Sequence, residues 1–310
     1  MSPLFFAAAV DTITAPCHDG IYVHEWGAVV YRRDIVEAVG DAGGPWRDCS
    51  GMMAEAPVIY IYGPEFTGDM TVRSQGRIVN AYPEPDESFR IDASVAGGGS
   101  AVRWSSISTR CPYIPGESRM PSVPEERVAG FDWAAPLWRQ TGSLVINRES
   151  DSFSDKFLYY EVAFEPGTFP LPLPGGLSDG YLQAAPISGE VLVVSRSGMD
   201  RMGLGLVDAD DLDELGDGIG ITDGYSSELA LKTVTAWAES ELKAPEIQAM
   251  WATWEPYVLH GDWEGTYLVV FPAPQAMIQR ISTLDLTSES GLPVEYHRFF
   301  LGLVPVEPRD

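Results

Sequence analysis

Four histidines, at positions 18, 24, 260 and 297, limit where imidazole chemistry can occur in this 310-residue chain. His260 opens the segment His-Gly-Asp-Trp-Glu-Gly, so His260, Asp262 and Glu264 could converge from one tight loop. An imidazole and two carboxylates so placed can hold Zn2+, or can exchange protons with a substrate held against Trp263. The competing reading is a plain helix end, with His260 beside the negative terminus and Gly261 as a left-handed cap. His24-Glu25 is the second candidate pair. Position 28 is Ala rather than His, so the spacing of a zinc-protease helix is not met. On a strand the two side chains would face opposite ways, with Tyr22, His24 and Trp26 sharing one face.

Asp208, Asp210, Asp211 and Asp213 form the densest carboxylate run. Oxygen-rich segments of this kind bind Ca2+. The EF-hand spacing fails: counted from Asp208, the sixth place is Asp213 rather than Gly and the twelfth is Ile219 rather than Glu. A solvated acidic loop is the simpler expectation. Trp26, Tyr60, Tyr62, Trp104 and Trp263 could offer flat faces to sugar rings, although strand aromatics more often pack a core. No G-x-S-x-G, Walker A loop or complete dinucleotide fingerprint occurs. No cofactor is expected, and Ca2+ or Zn2+ are the ions these residues would take.

The elements that must carry these residues are mostly strands. Runs at 21–32, 58–62, 70–74, 77–82, 89–92 and 102–106 are β-branched or aromatic, with Gly, Pro, Asp and Ser between them. Similar runs recur at 144–147, 156–164, 190–197, 265–271 and 295–304. Residues 169–176 alternate proline with Phe and Leu, which predicts an extended loop. One αα-hairpin is expected near 228–259. Its first helix places Leu231, Val234, Ala238 and Leu242 on one face, and its second places Ile247, Met250, Trp251, Trp254 and Val258. The fold class is therefore mainly β (α+β), with sandwich-like antiparallel sheets. A Pro- and Ser-rich stretch suggests a β-rich half over 1–125 and a mixed half over 126–310, or one continuous domain.

The chain holds 20 basic and 45 acidic residues, a net charge of −25. Phosphate backbones would be repelled, so no nucleic-acid partner is expected. Self-repulsion that salt screens suits a salt-tolerant, soluble surface. No apolar run reaches membrane-spanning length. Leu4–Val10 is apolar but lacks a preceding Lys or Arg, so it makes an incomplete secretion signal. Cys17, Cys49 and Cys111 allow one disulfide, expected if the chain resides in an oxidising compartment.

Several segments read together as a pattern. They are His24-Glu25-Trp26-Gly27, Pro57 to Tyr62, Gly76-Arg77-Ile78 with Tyr82-Pro83, Val102-Arg103-Trp104, Lys156 to Tyr160, and Glu246 with Trp254. In this order they resemble a group of uncharacterised bacterial exported proteins whose mature chain opens on His-Glu-Trp-Gly. This chain has Ala28 where that group has Thr, and Glu161 where it has Arg. The resemblance implies a periplasmic or extracellular address and carries no reaction. The function expected from these observations is a noncatalytic exported protein binding a carbohydrate or a protein. The alternative is a secreted hydrolase using the His260–Asp262–Glu264 loop or His24-Glu25.

Overall fold

Period-two runs of Val, Ile, Tyr and Phe need a sheet partner on each side, and the chain supplies it by interleaving distant segments. The computed structural model describes residues 20–31, 52–91, 99–111, 128, 130–148, 150, 152–164, 171–174, 183–187, 189–197, 201–212, 221–263 and 265–306. The first strands are β1 (Ile21–Tyr31), β2 (Met52–Tyr62), β3 (Thr67–Ser74), β4 (Arg77–Tyr82), β5 (Glu87–Ile91) and β6 (Gly99–Arg110). After α1 (Ala135–Trp138) come β7 (Val145–Arg148), β8 (Phe153–Asp155), β9 (Leu158–Phe164), β10 (Leu171–Pro174) and β11 (Gln183–Ile187). They are followed by β12 (Glu190–Ser197), β13 (Arg201–Asp208), β14 (Ile221–Asp223), α2 (Ser227–Ala238) and α3 (Ala244–His260). The chain then forms β15 (Tyr267–Pro272), α4 (Gln275–Ile281), β16 (Ser282–Ser288) and β17 (Val294–Val306).

Among the described residues strand accounts for 54% and helix for 22%, so the protein is mainly β, with sandwich-like antiparallel-rich sheets and one αα-hairpin. The larger sheet runs β14-β13-β12-β15-β17-β1-β2-β9-β4, and the second runs β16-β3-β6-β7-β8 with β5 also on β6. Each sheet takes strands from both sides of position 125, and that boundary itself lies outside the described residues. The pair at the centre of the larger sheet is an exception to the antiparallel rule: β1 and β17 run parallel, with His24 beside His297 and Glu25 beside Arg298. Residues 171–174 are also a difference from expectation. The proline-alternating segment is a strand after all, paired to β11 in a two-stranded ribbon. Such a ribbon leaves each strand one unpaired edge, where the missing proline N–H costs nothing.

The αα-hairpin forms as its periodicity requires. Ser226 starts α2, its hydroxyl accepting the Leu229 N–H at 3.2 Å. Ala230, Val234 and Ala238 are buried on one face of α2, while Ile247, Met250, Trp251, Trp254 and Val258 of α3 are all buried. Gly261 ends α3 by donating its N–H to the Tyr257 carbonyl at 2.8 Å. Its backbone is extended, at φ −65°, so the expected left-handed cap is not what stops the helix. The glycine is needed for space, because a Cβ there would sit 2.5 Å from the Tyr257 carbonyl oxygen.

Gly27 has the same kind of reason. It lies where the β1–β2 register shifts, between Trp26 and Ala28. A Cβ would meet the Phe300 ring at 2.9 Å and the Pro57 Cα at 3.1 Å. Gly27→Ala is expected to cost about 1–3 kcal/mol of overpacking strain. Urea denaturation checks this, and an unchanged midpoint with unchanged slope would refute it.

Candidate functional site

Alternation on β1 sends His24 and Glu25 to opposite faces of the larger sheet. His24 faces the helices. Its Nδ1 lies 2.9 Å from Oε2 of Glu246, in the first turn of α3. Glu246 is fully buried, and its carboxylate collects three partners. Oε1 accepts the Tyr62 hydroxyl at 2.9 Å, and Oε2 also accepts the Lys243 backbone N–H at 2.6 Å. Pro245 just before it suits the helix start, and an acid in the first turn favours the positive helix end. The same carboxylate therefore caps α3 and holds an imidazole.

More titratable groups surround that imidazole. The rings of His24 and His297 are 5.0 Å apart, and those of His24 and Tyr62 are 4.8 Å apart. Lys243 Nζ stands 3.3 Å above the Tyr62 ring, a cation–π contact. Burial lowers the Lys243 pKa, partly opposed by the Glu246 charge. Burial raises the Tyr62 pKa well above its ordinary value, and Glu246 adds to it. His297 bridges outward, with Nδ1 3.5 Å from Glu241 and Nε2 3.3 Å from Glu295. His24 retains 6% of its surface, so the imidazole sits just beneath the protein exterior. Among the described residues, its Nε2 makes no hydrogen bond.

Glu25 serves the opposite face. It accepts Arg298 Nε at 2.5 Å and the Tyr160 hydroxyl at 2.6 Å. Arg298 also donates to the Ser282 carbonyl at 2.7 Å and hydroxyl at 2.6 Å. Ser282 begins β16, an edge strand of the second sheet, so this network ties the two sheets together. The neighbours His24 and Glu25 thus serve separate networks, one toward the helices and one toward the second sheet.

The other candidates fall elsewhere. His260 and Asp262 are exposed, and Glu264 lies outside the described residues. Trp263 is buried, donating Nε1–H to the Val258 carbonyl at 3.1 Å under the Arg196 guanidinium, 3.9 Å from its ring centre. Arg196 also donates to the Gly261 carbonyl at 3.2 Å, so this loop closes a helix end. Asp208 ends β13 and accepts the Asp210 N–H at 3.0 Å. Asp208, Asp210 and Asp211 are exposed, and Asp213 lies outside the described residues. Cys17 and Cys49 also lie outside them.

Trp26, Tyr60, Tyr62, Trp104 and Trp263 are all buried. Trp26 meets Trp138 edge-on, Tyr60 donates to the Trp138 carbonyl at 3.1 Å, and Trp104 donates to the Pro83 carbonyl at 2.7 Å. These five side chains are interior packing, and Tyr62 alone of them joins the His24 cluster. Among the described residues, no three His, Cys, Asp or Glu side chains form a group that could hold a metal ion. No described helix is long and apolar enough to cross a membrane.

Glu246, Lys243 and His297 were not legible as site members from their spacing. Glu246 is 222 positions from His24, and although both belong to the motifs that carry the resemblance, nothing in their spacing brings them together. Comparison of the chain with family models, with curated proteins and with solved structures finds no match.

Proposed function

We propose that this chain is an exported hydrolase in which His24 acts as the general base, positioned by Glu246. The observation that carries this reading is the 2.9 Å contact between His24 Nδ1 and a fully buried carboxylate. An ionised carboxylate only accepts, so Nδ1 carries the hydrogen and Nε2 presents its lone pair. In that tautomer Nε2 can take a proton from a water attacking an acyl or glycosyl bond. Glu246 then stabilises the imidazolium, the role a carboxylate plays behind a catalytic histidine. Tyr62 and the Lys243 backbone hold that carboxylate in place. The address we propose is periplasmic or extracellular. Its support is the His-Glu-Trp-Gly resemblance and a composition with 45 acidic against 20 basic residues.

The test is a screen of ester, glycoside and peptide substrates with wild type, His24→Gln and Glu246→Gln. Both variants are expected to lose at least ~10²-fold in rate while remaining folded. Turnover that survives His24→Gln would remove His24 from the chemistry. No turnover of any class would leave the noncatalytic binding protein as the better reading.

A further inference from the structure

The carboxylates buried in this fold are not treated alike. Glu25 has Arg298, Asp155 has a two-pronged contact from Arg139, and Glu246 has His24. Glu161 on β9 is fully buried, and among the described residues it has no cationic partner. Asn80 Nδ2 donates to its Oε2, while Oε1 makes no hydrogen bond at all. The hydroxyl of Tyr159, two residues earlier and 1% exposed, is likewise unpartnered, although the Glu161 carboxyl is near enough to act on it. An unmatched buried acceptor and an unmatched buried hydroxyl side by side are a costly arrangement, normally filled by a ligand or water.

A second carboxylate faces the same spot. Ala54 pairs with Val162 on the β2–β9 seam, and Glu55 and Glu161 are the residues next to that pair where the register then shifts. Glu55 is 5% exposed and its charge acts on both Glu161 and Tyr159. The strands are re-aimed here. Register shifts fall between Ala54 and Val58 on β2 and between Ile78 and Asn80 on β4, bringing Asn80 opposite Glu161. Bulges of this kind commonly redirect side chains at sites. β4 is an edge strand and Asn80 is half-buried, so Asn80 is the outermost member of the group.

We propose that Glu161, Glu55, Tyr159 and Asn80 bind one divalent cation of the hard, oxygen-preferring class, Ca2+ before Mg2+. Every donor is oxygen once the Asn80 amide turns its Oδ1 toward the ion. Glu55 has a further interaction of its own, so the site asks of it a single oxygen. A proton is the weaker occupant. Placed on Oε1 of Glu161 it reaches the Tyr159 oxygen alone, whereas a cation takes Oε1, the Tyr159 oxygen and a Glu55 oxygen together. The site is separate from the His24 cluster and does not depend on the hydrolase reading.

The experiment measures divalent metal in protein purified without chelator, then follows melting of the EDTA-stripped protein with Ca2+, Mg2+ or NaCl at equal ionic strength. One equivalent of ion is expected, and saturating Ca2+ should raise Tm by at least about 3 °C over NaCl. Glu161→Gln is expected to abolish that rise. Asn80→Asp, at a half-buried edge position, should tighten Ca2+ several-fold, and Asp210→Asn with Asp211→Asn should leave the rise intact. No excess over NaCl would overturn the site, leaving water as the occupant. So would a rise that survives Glu161→Gln, or one that disappears with the two exposed aspartates.

Discussion

Arg298→Ala lowers the free energy of unfolding by about 3–5 kcal/mol, the scale for breaking a buried ion pair. The size follows from what is left behind. Glu25 is fully buried and would keep only the Tyr160 hydroxyl as a partner among those that now hold it. The Ser282 hydroxyl and carbonyl lose their donors in the same step, which loosens the tie between the sheets. Removing both charges is a different matter. Glu25→Gln with Arg298→Met leaves no uncompensated ion, so the double variant should recover more than half of the loss. Urea denaturation at pH 7 on the two variants measures both. A single-variant loss under about 1 kcal/mol would show that the pair is hydrated and that the sheets hold by apolar packing alone.

Glu161→Gln acts in the opposite direction, raising the stability of the metal-free protein in alkaline solution. Burial pushes the Glu161 carboxyl up to about 8 from its ordinary 4.5; Tyr159 and Asn80 oppose the shift, and the Glu55 charge reinforces it. Between those two values the folded chain keeps a proton that the unfolded chain has released. The unfolded state therefore binds fewer protons, and stability falls as pH rises from 4.5 to about 8, then levels. The full loss is on the order of 5 kcal/mol, from 1.36 kcal/mol for each unit between 4.5 and about 8. Glutamine carries no charge to bury, so Glu161→Gln should gain most of that at pH 9 and almost none at pH 4.5. Parallel denaturation curves at the two pH values would refute the burial argument. A gain at pH 9 that Ca2+ gives the wild type as well would join this result to the cation site, since metal and proton compete for one carboxylate.

Much of the secondary structure was legible locally. The runs 77–82 and 190–197 are strands with those bounds, and the 3.6-residue stripe of Ile247, Met250, Trp251, Trp254 and Val258 is the buried face of α3. Such patterns are readable because a residue's face is set by neighbours two to four positions away. β13 was not legible, since Gly203 and Gly205 thin out the β-branched signal. The opposite facing of His24 and Glu25 also followed from alternation alone. Their partners did not. Glu246 reaches His24 across 222 positions and Arg298 reaches Glu25 across 273. Both meetings depend on the parallel register of β1 with β17 and on where α3 crosses the sheet. The fate of the aromatics was a tertiary matter too: a Tyr or Trp on a strand face reads the same whether that face meets solvent, helices or another sheet. By itself the sequence determined that two ionisable neighbours on β1 would serve different layers. Only the assembled layers decided that one meets an arginine and the other a carboxylate, because desolvation inside the fold makes each buried charge depend on whichever counter-charge the packing brings within reach.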